Sequence, residues 1–185
     1  MSSELRVDKI LPLDGIVATS SVGASASNNA GGTGGVIQTV YYQGKAFSDG
    51  TANYVTTTTT SMIATGFYVN ITPKFTTSKI RLDCHFHSWA TSSGQSDDYV
   101  RVTIYRNSTN LAPTLGQSST DTMCWIGDND DNATANDFRT WSFIDTPNTT
   151  SQIKYEIYMR TGSGNSHRFG WASDMNAIIA TELSA

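Results

Sequence analysis

The clearest regularity in this sequence is an alternation of apolar and polar residues with a period of two. Between Lys79 and Trp89, apolar residues at every second position (Ile80, Leu82, Cys84, Phe86) alternate with polar ones (Arg81, Asp83, His85, His87). In a β-strand, successive side chains point to opposite faces, so this pattern separates a core face from a solvent face. The same alternation recurs in Tyr99–Tyr105 and Ile153–Met159. These three segments therefore predict strands that pack one face against a core.

Weaker patterns predict five further strands: Val36–Tyr42, Tyr54–Thr60, Phe67–Thr72, a strand containing Trp141 and Phe143, and Ala177–Leu183. Polar turns separate them, and no stretch has the period of an amphipathic helix. Two longer polar and acidic segments, Ser92–Asp98 and Asp128–Asp137, are predicted to be surface loops. Eight or so short strands joined in this way predict an all-β fold, a single antiparallel β-sandwich of the jelly-roll type.

The first 35 residues have a different character. The segment Ser20–Gly35 has no aromatic and almost no bulky apolar residue, so it cannot bury enough surface to offset its ordering entropy. We predict that residues 1–35 form an extended attachment arm with a Gly/Ser-rich linker, and that residues 36–185 form the sandwich domain. The apolar residues expected to anchor the arm to a partner chain precede the linker: Leu5, Val7, Ile10, Leu11 and Leu13. Their near-alternation and Pro12 favour an extended segment that adds a strand to a partner's sheet.

Charge and hydropathy narrow the classes of partner. The net charge is −4 and the pI is about 5.2, which argues against a nucleic-acid partner because such proteins need a basic surface. No run approaches the roughly 20 apolar residues of a membrane span, so membrane insertion is not expected. The N-terminal MSSELRVDKILP lacks the apolar region of a secretory signal, which predicts a protein assembled in a cytoplasm.

Five segments carry a resemblance to a known family. In chain order they are SELRVDKILPLDG, the Gly-rich run into GGVIQTVYYQ, TGFYVNITPKFTTSKIRL, SFIDTPNTTSQIKYEIYMR and AIIATELSA. In the same order, the first two resemble a leader and a linker with the first strand. The third resembles a strand–turn–strand with Ile-Thr-Pro and Thr-Ser-Lys-Ile. The fourth resembles a segment with Phe, Asp, Pro, Thr-Thr-Ser and Tyr, and the fifth resembles a closing strand. These features belong to minor virion proteins of marine and cyanobacterial phages, often described as tail-fibre-like or structural.

The resemblance implies a phage virion structural protein, located in the virion after assembly in the host cytoplasm. It implies a homotrimeric fibre or knob that is anchored to capsid or tail by its N-terminal arm and presents a β-sandwich tip. The tip would serve adhesion to a host surface glycan or protein. The alternative is a capsid decoration or stabilising protein without receptor binding. A trimer also follows from flat, weakly charged strand faces rich in Thr, Tyr and Trp, which a monomer would leave exposed.

Two groups of residues could in principle hold a metal ion. His85 and His87 share a strand face and could bind Zn²⁺ if His167 supplied a third ligand. Without a cysteine or carboxylate motif, a polar sheet face is the simpler interpretation. Asp128, Asp130 and Asn132 alternate as in a calcium loop, but an EF-hand needs glycine and glutamate where Ala133 and Arg139 stand. A solvated acidic loop is expected there, and no metal or other cofactor.

The remaining reactive residues predict no catalysis. Cys84 and Cys124 have no CxxC spacing and are interpreted as small buried hydrophobes, with their pairing left open. No GxSxG or HExxH motif occurs, and Asp97, Asp98 and Asp121 form no recognisable acid pair. We therefore expect no enzyme and no catalytic residue. Six aromatic residues could stack on sugars if exposed, but most are expected in the core or in subunit contacts: Trp125, Trp141, Trp171, Tyr42, Tyr99 and Tyr105.

Overall fold

The computed structural model describes residues 35–44, 55–90, 98–115, 121–128, 136–162, 164, 166–170 and 176–184. The predicted anchor residues Leu5, Val7, Ile10, Leu11 and Leu13 lie outside the described residues, as do Trp171 and most of the predicted acidic loop. No helix in the described ranges is long and apolar enough to cross a membrane.

The described residues form strands and one short 3-10 turn at Ala112–Leu115. The strands are β1 Val36–Gly44, β2 Val55–Thr57, β3 Ile63–Ile71, β4 Lys79–Ala90, β5 Asp98–Arg106, β6 Thr109–Asn110, β7 Cys124–Asp128, β8 Asn136–Asp145, β9 Ile153–Thr161, β10 His167–Phe169 and β11 Asn176–Leu183.

The strands make two sheets in which every pairing is antiparallel. Sheet I contains β1, β11, β4 and β8 in that order, and short β10 and β2 extend it beside the end of β4. Sheet II contains β3, β9, β5 and β7 in that order, with β6 also pairing with β5. Two four-stranded sheets with this interleaved order of eight strands are a jelly roll. The predicted all-β antiparallel sandwich is confirmed.

Alternation along the strands builds the core between the sheets. In β3 every second residue from Thr65 to Ile71 is buried, and the residues between them are exposed. The same alternation in β4, β5 and β9 supplies most of the remaining core, which includes Leu82, Val102 and Ile157. This alternation is typical of antiparallel sheets that have one face packed on the core and the other face in water.

The two ends of the sandwich differ in which parts of the chain they bring together. At the base, Ser184 and Gly35 bond to each other, since the Ser184 N–H donates to the Gly35 carbonyl at 2.8 Å. The β3–β4 and β8–β9 connections lie at the same end, because β4 starts and β8 finishes there. At the opposite, distal end, Gly44 pairs with Asn176 and Asp98 pairs with Asp128. Residues 1–34 therefore join the domain at its base.

One buried carboxylate links the two sheets at the base. Both oxygens of Asp145, at the end of β8, accept hydrogen bonds from Nη1 of Arg106 on β5, each at 3.0 Å. The hydroxyl of Tyr155 on β9 donates to Asp145 Oδ2 at 2.6 Å. Burial raises the pKa of Tyr155, and the hydrogen bond to Asp145 adds to the rise, so the hydroxyl keeps its proton. Sheet I is thus bonded directly to sheet II.

The sequence patterns missed three short strands and placed three loop boundaries wrongly, one of them because β8 begins at Asn136, inside the predicted loop Asp128–Asp137. β6, β7 and β10 have only two to five residues and show too little alternation to be recognised. Asp98 and Asp128, which were predicted to lie in loops, pair with each other at the ends of β5 and β7. The predicted strand Tyr54–Thr60 is shorter than expected, since β2 covers only Val55–Thr57. The position of a short strand depends on the strands it pairs with, and the periodicity of its own sequence does not show them.

We predict that Tyr155→Phe lowers the free energy of unfolding by about 1–2 kcal/mol, because Asp145 stays buried while losing one donor. Urea denaturation at neutral pH measures the change. Tyr41→Phe is the control, since Tyr41 is 69% exposed and its hydroxyl can bond to water. Equal stabilities for the two variants would show that the Tyr155 hydroxyl contributes nothing to joining the sheets.

Candidate functional site

A second buried carboxylate organises the base next to the start of β1. Glu182 on β11 is inaccessible to solvent. Its Oε1 accepts hydrogen bonds from the Lys74 N–H at 2.7 Å and the Ser78 hydroxyl at 2.6 Å. Its Oε2 accepts from Gln38 Nε2 on β1 at 2.5 Å, and Gln38 also donates to the Thr72 carbonyl at 2.7 Å. The first strand, the closing strand and the β3–β4 turn are therefore joined by one side chain.

These hydrogen bonds decide the ionisation of Glu182. Burial by itself would raise the pKa, because it disfavours the charged form. The hydrogen bonds from Ser78 and Gln38 oppose it, and those from the backbone of Lys74 and Phe75 add to them. The net result is a pKa below the ordinary value of a glutamate. Glu182 is thus a carboxylate that the fold holds in its charged form.

The family-like segments meet at these two carboxylates. GGVIQTVYYQ contains Gln38, TGFYVNITPKFTTSKIRL contains Lys74 and Ser78, and AIIATELSA contains Glu182. SFIDTPNTTSQIKYEIYMR contains both Asp145 and Tyr155. Segments far apart in sequence therefore supply the partners of the same buried groups. Sequence reasoning did not identify either cluster, although Glu182 lies in phase with the apolar Ile178 and Ala180.

The outer face of sheet I is hydroxyl-rich, and it exposes apolar side chains. Tyr41 on β1 is 69% exposed, and Phe138 and Ile144 on β8 are each 53% exposed. Two charged residues of this face pair with each other, since Arg81 Nη2 lies 3.0 Å from Asp83 Oδ1. β8 also pairs only with β4 among the described residues, so its outer edge is an available strand edge.

The outer face of sheet II has a different chemistry, based on tyrosines. The rings of Tyr105 on β5 and Tyr158 on β9 stack with centroids 3.9 Å apart and planes at 22°. Tyr68 on β3 is 43% exposed and lies across the sheet from Glu156, which in turn lies opposite Tyr105. Beneath these rings, Glu156 and Thr103 are buried although they face outward. The tyrosine rings therefore cover the side chains of Glu156 and Thr103.

Ion pairs border the stacked tyrosines. Lys154 Nζ lies 2.5 Å from Glu156 Oε2, and it also lies 5.3 Å from the centre of the Tyr68 ring. The hydrogen bond to Glu156 raises the pKa of Lys154. On the other side, Arg160 Nη2 donates to Asp121 Oδ1 at 2.9 Å. Each of these two cations thus has a carboxylate partner beside the ring pair.

A β-bulge explains how Glu156 is buried on an outer face. The register of β3 against β9 shifts between Ala64 and Tyr68, and Gly66 in this interval has φ of 76°. Glycine adopts this left-handed conformation without steric cost. The Gly66 N–H then donates to Glu156 Oε1 at 3.2 Å. The bulge therefore supplies a backbone donor that holds the Glu156 carboxylate close to β3, on the side of the face where Tyr68 lies.

The structure separates the three histidines. His85 lies on the outer face of sheet I, where its Nδ1 is 3.1 Å from Thr140 Oγ1. His87 is two residues further along the same strand and is buried. His167 on β10 is in phase with Phe169, which belongs to the core, and therefore points to the opposite face. No group of three metal-ligating side chains is present within the described ranges.

The two cysteines are free thiols on different sheets. Cys84 on β4 is fully buried in the core, and Cys124 on β7 packs partly buried against it. Burial raises the pKa of the Cys84 thiol, and the charge of neighbouring Asp83 adds to the rise. A protonated, buried thiol is unreactive, so Cys84 acts as a small hydrophobe.

The aromatic residues that were expected mostly in the core divide between core and surface. Trp141 packs partly buried against the core, with its ring centre 6.1 Å from that of Phe86. Tyr42 is 40% exposed and contacts Phe67 edge-on. Tyr99 and Tyr105 are half-buried on the outer face of sheet II rather than in the core, so a subunit contact stays a prediction for them. Their strand positions alternate with the core residues of β5, which is why they point outward.

Comparisons with known proteins add little to this geometry. The sequence matches no protein-family model and no curated protein sequence. Among solved structures, the chain is similar to infectious bursal virus-derived T=1 particles, with a TM-score of 0.40 over 82% of this chain and 37% of the other, at 13% identity. It is similar to infectious bursal disease virus Gx strain at a TM-score of 0.39, and to the VP2 subviral particle of that virus at 0.35, each over 82% of this chain and at 13% identity. The chain spans less than two fifths of these proteins, and so low a similarity carries no functional inference.

We predict that stability depends on the charge of Glu182. Because its folded pKa lies below the ordinary value of 4.5, protonation favours the unfolded chain. The stability contributed by the charge is complete above that value and is lost as the pH falls through the folded pKa.

Glu182→Gln should lower the free energy of unfolding at pH 7 by about 1–3 kcal/mol, because an amide places a donor against existing donors. It should also flatten the decline in stability under acidic conditions. Urea denaturation over an acidic-to-neutral pH series measures both effects, and Asp121→Asn is the half-exposed carboxylate control. A variant with the acid dependence of the natural chain would contradict the assignment.

Proposed function

We propose that this chain is a structural protein of a phage virion, anchored to capsid or tail by its N-terminal arm and presenting the jelly roll as a tip. The tip serves adhesion to the host surface, and the chain acts without catalysis. The observation that carries the proposal is the position at which the N-terminal segment joins the domain. Gly35, to which residues 1–34 connect, lies at the base, so the distal end and both outer sheet faces can point away from an anchor.

The resemblance to phage virion proteins supports the proposal, and the residues that carry it lie at the base of the domain. Residues from two of the family-like segments bond to Glu182, which lies in a third, and Asp145 bonds to Tyr155 within a fourth. Jelly rolls occur in viral capsid proteins and in lectins, among other proteins, so the fold is compatible with the proposal without establishing it.

Decoration of the capsid without receptor binding is the second candidate. A decorating protein needs only a mode of attachment and a stable domain, whereas an adhesin also needs a surface that recognises a ligand. The outer face of sheet II, with Tyr68, Tyr105 and Tyr158 half-exposed, favours the adhesin. Binding of purified protein to intact host cells separates the two functions, because a decorating protein should remain in solution.

We predict that the arm is needed for incorporation into particles but not for folding. Deletion of residues 1–34 keeps Gly35 and its hydrogen bonds to Ser184. Thermal unfolding should be nearly unchanged, since every strand of the sandwich remains, while the truncated chain should be absent from purified particles. A truncated chain that fails to fold would place part of the arm in the core.

We predict that Leu5→Asp combined with Val7→Asp abolishes incorporation, because apolar side chains contribute about 1.5–3 kcal/mol each when fully buried. A matched control places the same charges in the linker, as Val22→Asp and Ala26→Asp. Immunoblots of purified particles measure incorporation of both chains. Normal incorporation of the first variant would mean that the anchor is elsewhere, for example on the sandwich.

We further propose a homotrimer formed through the outer face of sheet I. Its exposed Tyr41, Phe138 and Ile144 suit contact with a second copy, and its Arg81 and Asp83 already pair with each other. Tyr41→Lys combined with Ile144→Lys should convert the trimer to a monomer, whereas Asn70→Lys on sheet II should not. Sedimentation equilibrium measures the mass. A mass near 20.0 kDa for the natural chain would contradict the proposal.

A further inference from the structure

The stacked tyrosines on sheet II are a preformed aromatic surface. Tyr105 and Tyr158 are held by each other, with ring centroids 3.9 Å apart, and both are half-buried. Stacking occupies one face of each ring, and neither side chain is fully buried. Because the rings are already ordered on rigid central strands, a ligand that stacks on them loses little to the ordering of side chains.

Polar groups converge on one side of this ring pair. Asp121 has its side chain 48% exposed, and its Oδ1 accepts from Arg160 Nη2 at 2.9 Å. Its backbone is held in the left-handed region, with φ of 51°, and its carbonyl accepts from Asn110 Nδ2 at 2.8 Å. Asn110 pairs with Tyr105 across the sheet, so its hydrogen bond to the Asp121 carbonyl places Asp121 beside that tyrosine. Burial raises the pKa of Tyr105, and the charge of Asp121 adds to the rise. A carboxylate, a guanidinium and an amide thus stand beside the aromatic surface.

The two cations beside the stacked pair each have a carboxylate partner, whereas Arg101, four residues before Tyr105 on β5, has the ring and hydroxyl of Tyr99 instead. Lys154 is paired with Glu156, and Arg160 is paired with Asp121. Arg101 lies over the ring of Tyr99, 4.8 Å from its centre, and donates to the Tyr99 hydroxyl at 2.7 Å. A phosphate or polyuronate chain on this surface would meet the half-exposed Asp121 carboxylate without an unpaired cation beside the ring pair. The charge distribution is complementary to an uncharged ligand.

We propose that the outer face of sheet II binds an uncharged oligosaccharide, with Tyr105 and Tyr158 stacking on a sugar ring and Asp121, Arg160 and Asn110 bonding to its hydroxyls. The apolar C–H face of a sugar packs on an aromatic ring, and its hydroxyls both donate and accept hydrogen bonds. The carboxylate can accept hydrogen bonds from sugar hydroxyls, and the guanidinium and amide groups can donate to them. The inference deepens the proposed adhesive function by naming its surface and the chemical class of its receptor.

The test uses the purified full-length chain. Oligosaccharides of dextran, galactan and mannan serve as neutral probes, and polygalacturonate and single-stranded DNA serve as charged ones. Titration calorimetry measures affinity, and the tyrosine ring signals in NMR spectra report whether the bound probe lies on this face. We expect saturable binding of at least one neutral probe with shifts of the Tyr105 and Tyr158 signals, and no saturable binding of the charged probes.

Substitutions then separate stacking from other causes. Tyr105→Ala and Tyr158→Ala should each weaken binding by about tenfold or more, whereas Tyr105→Phe keeps the ring and should bind within about threefold of the natural chain. Asp121→Gly suits the left-handed backbone and should also weaken binding, which keeps the test decisive if an alanine variant unfolds. Phe75→Ala is the matched control and should bind normally, because Phe75 is an exposed aromatic residue in the β3–β4 turn, away from both outer faces.

The proposal is overturned if no neutral probe binds, if the charged probes bind more tightly, or if Phe75→Ala loses as much affinity as Tyr105→Ala. Its failure is distinguishable from failure of the virion function. A chain that is incorporated into particles and adheres to cells after Tyr105→Ala would retain the proposed function but bind through another surface. A chain that never enters particles, yet binds a neutral probe on this face, would contradict the virion function alone.

Discussion

The domain depends on two carboxylates, Asp145 and Glu182, that are buried at the base and must be satisfied by protein groups. Removing a carboxylate from water is costly unless enough donors replace the lost hydration. Asp145 obtains them from Arg106 and Tyr155 on sheet II, and Glu182 obtains them from β1 and from the turn between β3 and β4. A shift of one residue in any of these strands would turn the donors to the other face. The carboxylates therefore specify which strands meet and in which register.

This arrangement fixes the base, where residues 1–34 join the domain. Gln38 lies three residues after Gly35, and its side chain bonds both to Glu182 and to the Thr72 carbonyl. Gly35 itself bonds to Ser184. A pull on residues 1–34 would therefore act on a hydrogen-bonded junction of β1, β11 and the β3–β4 turn rather than on a single strand edge. Such a junction suits a domain that is held to a larger assembly by its N-terminal segment.

Periodicity was sufficient to predict the sandwich because each long strand has one buried face. It also contained two facts that the interpretation of individual residues missed. In β5, Tyr105 is in phase with Arg101 and out of phase with Val102 and Ile104, so its position already indicated an outward side chain. The expectation that Tyr105 lies in the core or in a subunit contact did not use that signal. In β11, Glu182 is in phase with the buried residues, and an acidic residue at such a position signals a polar cluster.

Other features could not be read from the sequence because they depend on partners far along the chain. The bulge at Gly66 matters only because Glu156, from β9, lies beneath it. The stacking of Tyr105 on Tyr158 likewise depends on the register between β5 and β9. The opposite placement of His167 and the pair His85 and His87 follows from β10, a strand of three residues that shows no pattern of its own. Local sequence predicts which face a side chain takes, whereas neighbours across the sheet decide its function.

The two outer faces expose different kinds of side chain to water, and this difference bears on function. A sandwich buries one face of each sheet and leaves the other to water. On sheet II, stacked rings and ion pairs cover the polar groups beneath them, so the face is stable in water and can remain exposed. On sheet I, Phe138 and Ile144 stay exposed beside the open edge of β8, and Tyr41 stays exposed on β1 at the opposite side of the sheet. Exposed apolar groups at an open strand edge favour association, so sheet I suits contact with other chains and sheet II suits a reversible ligand.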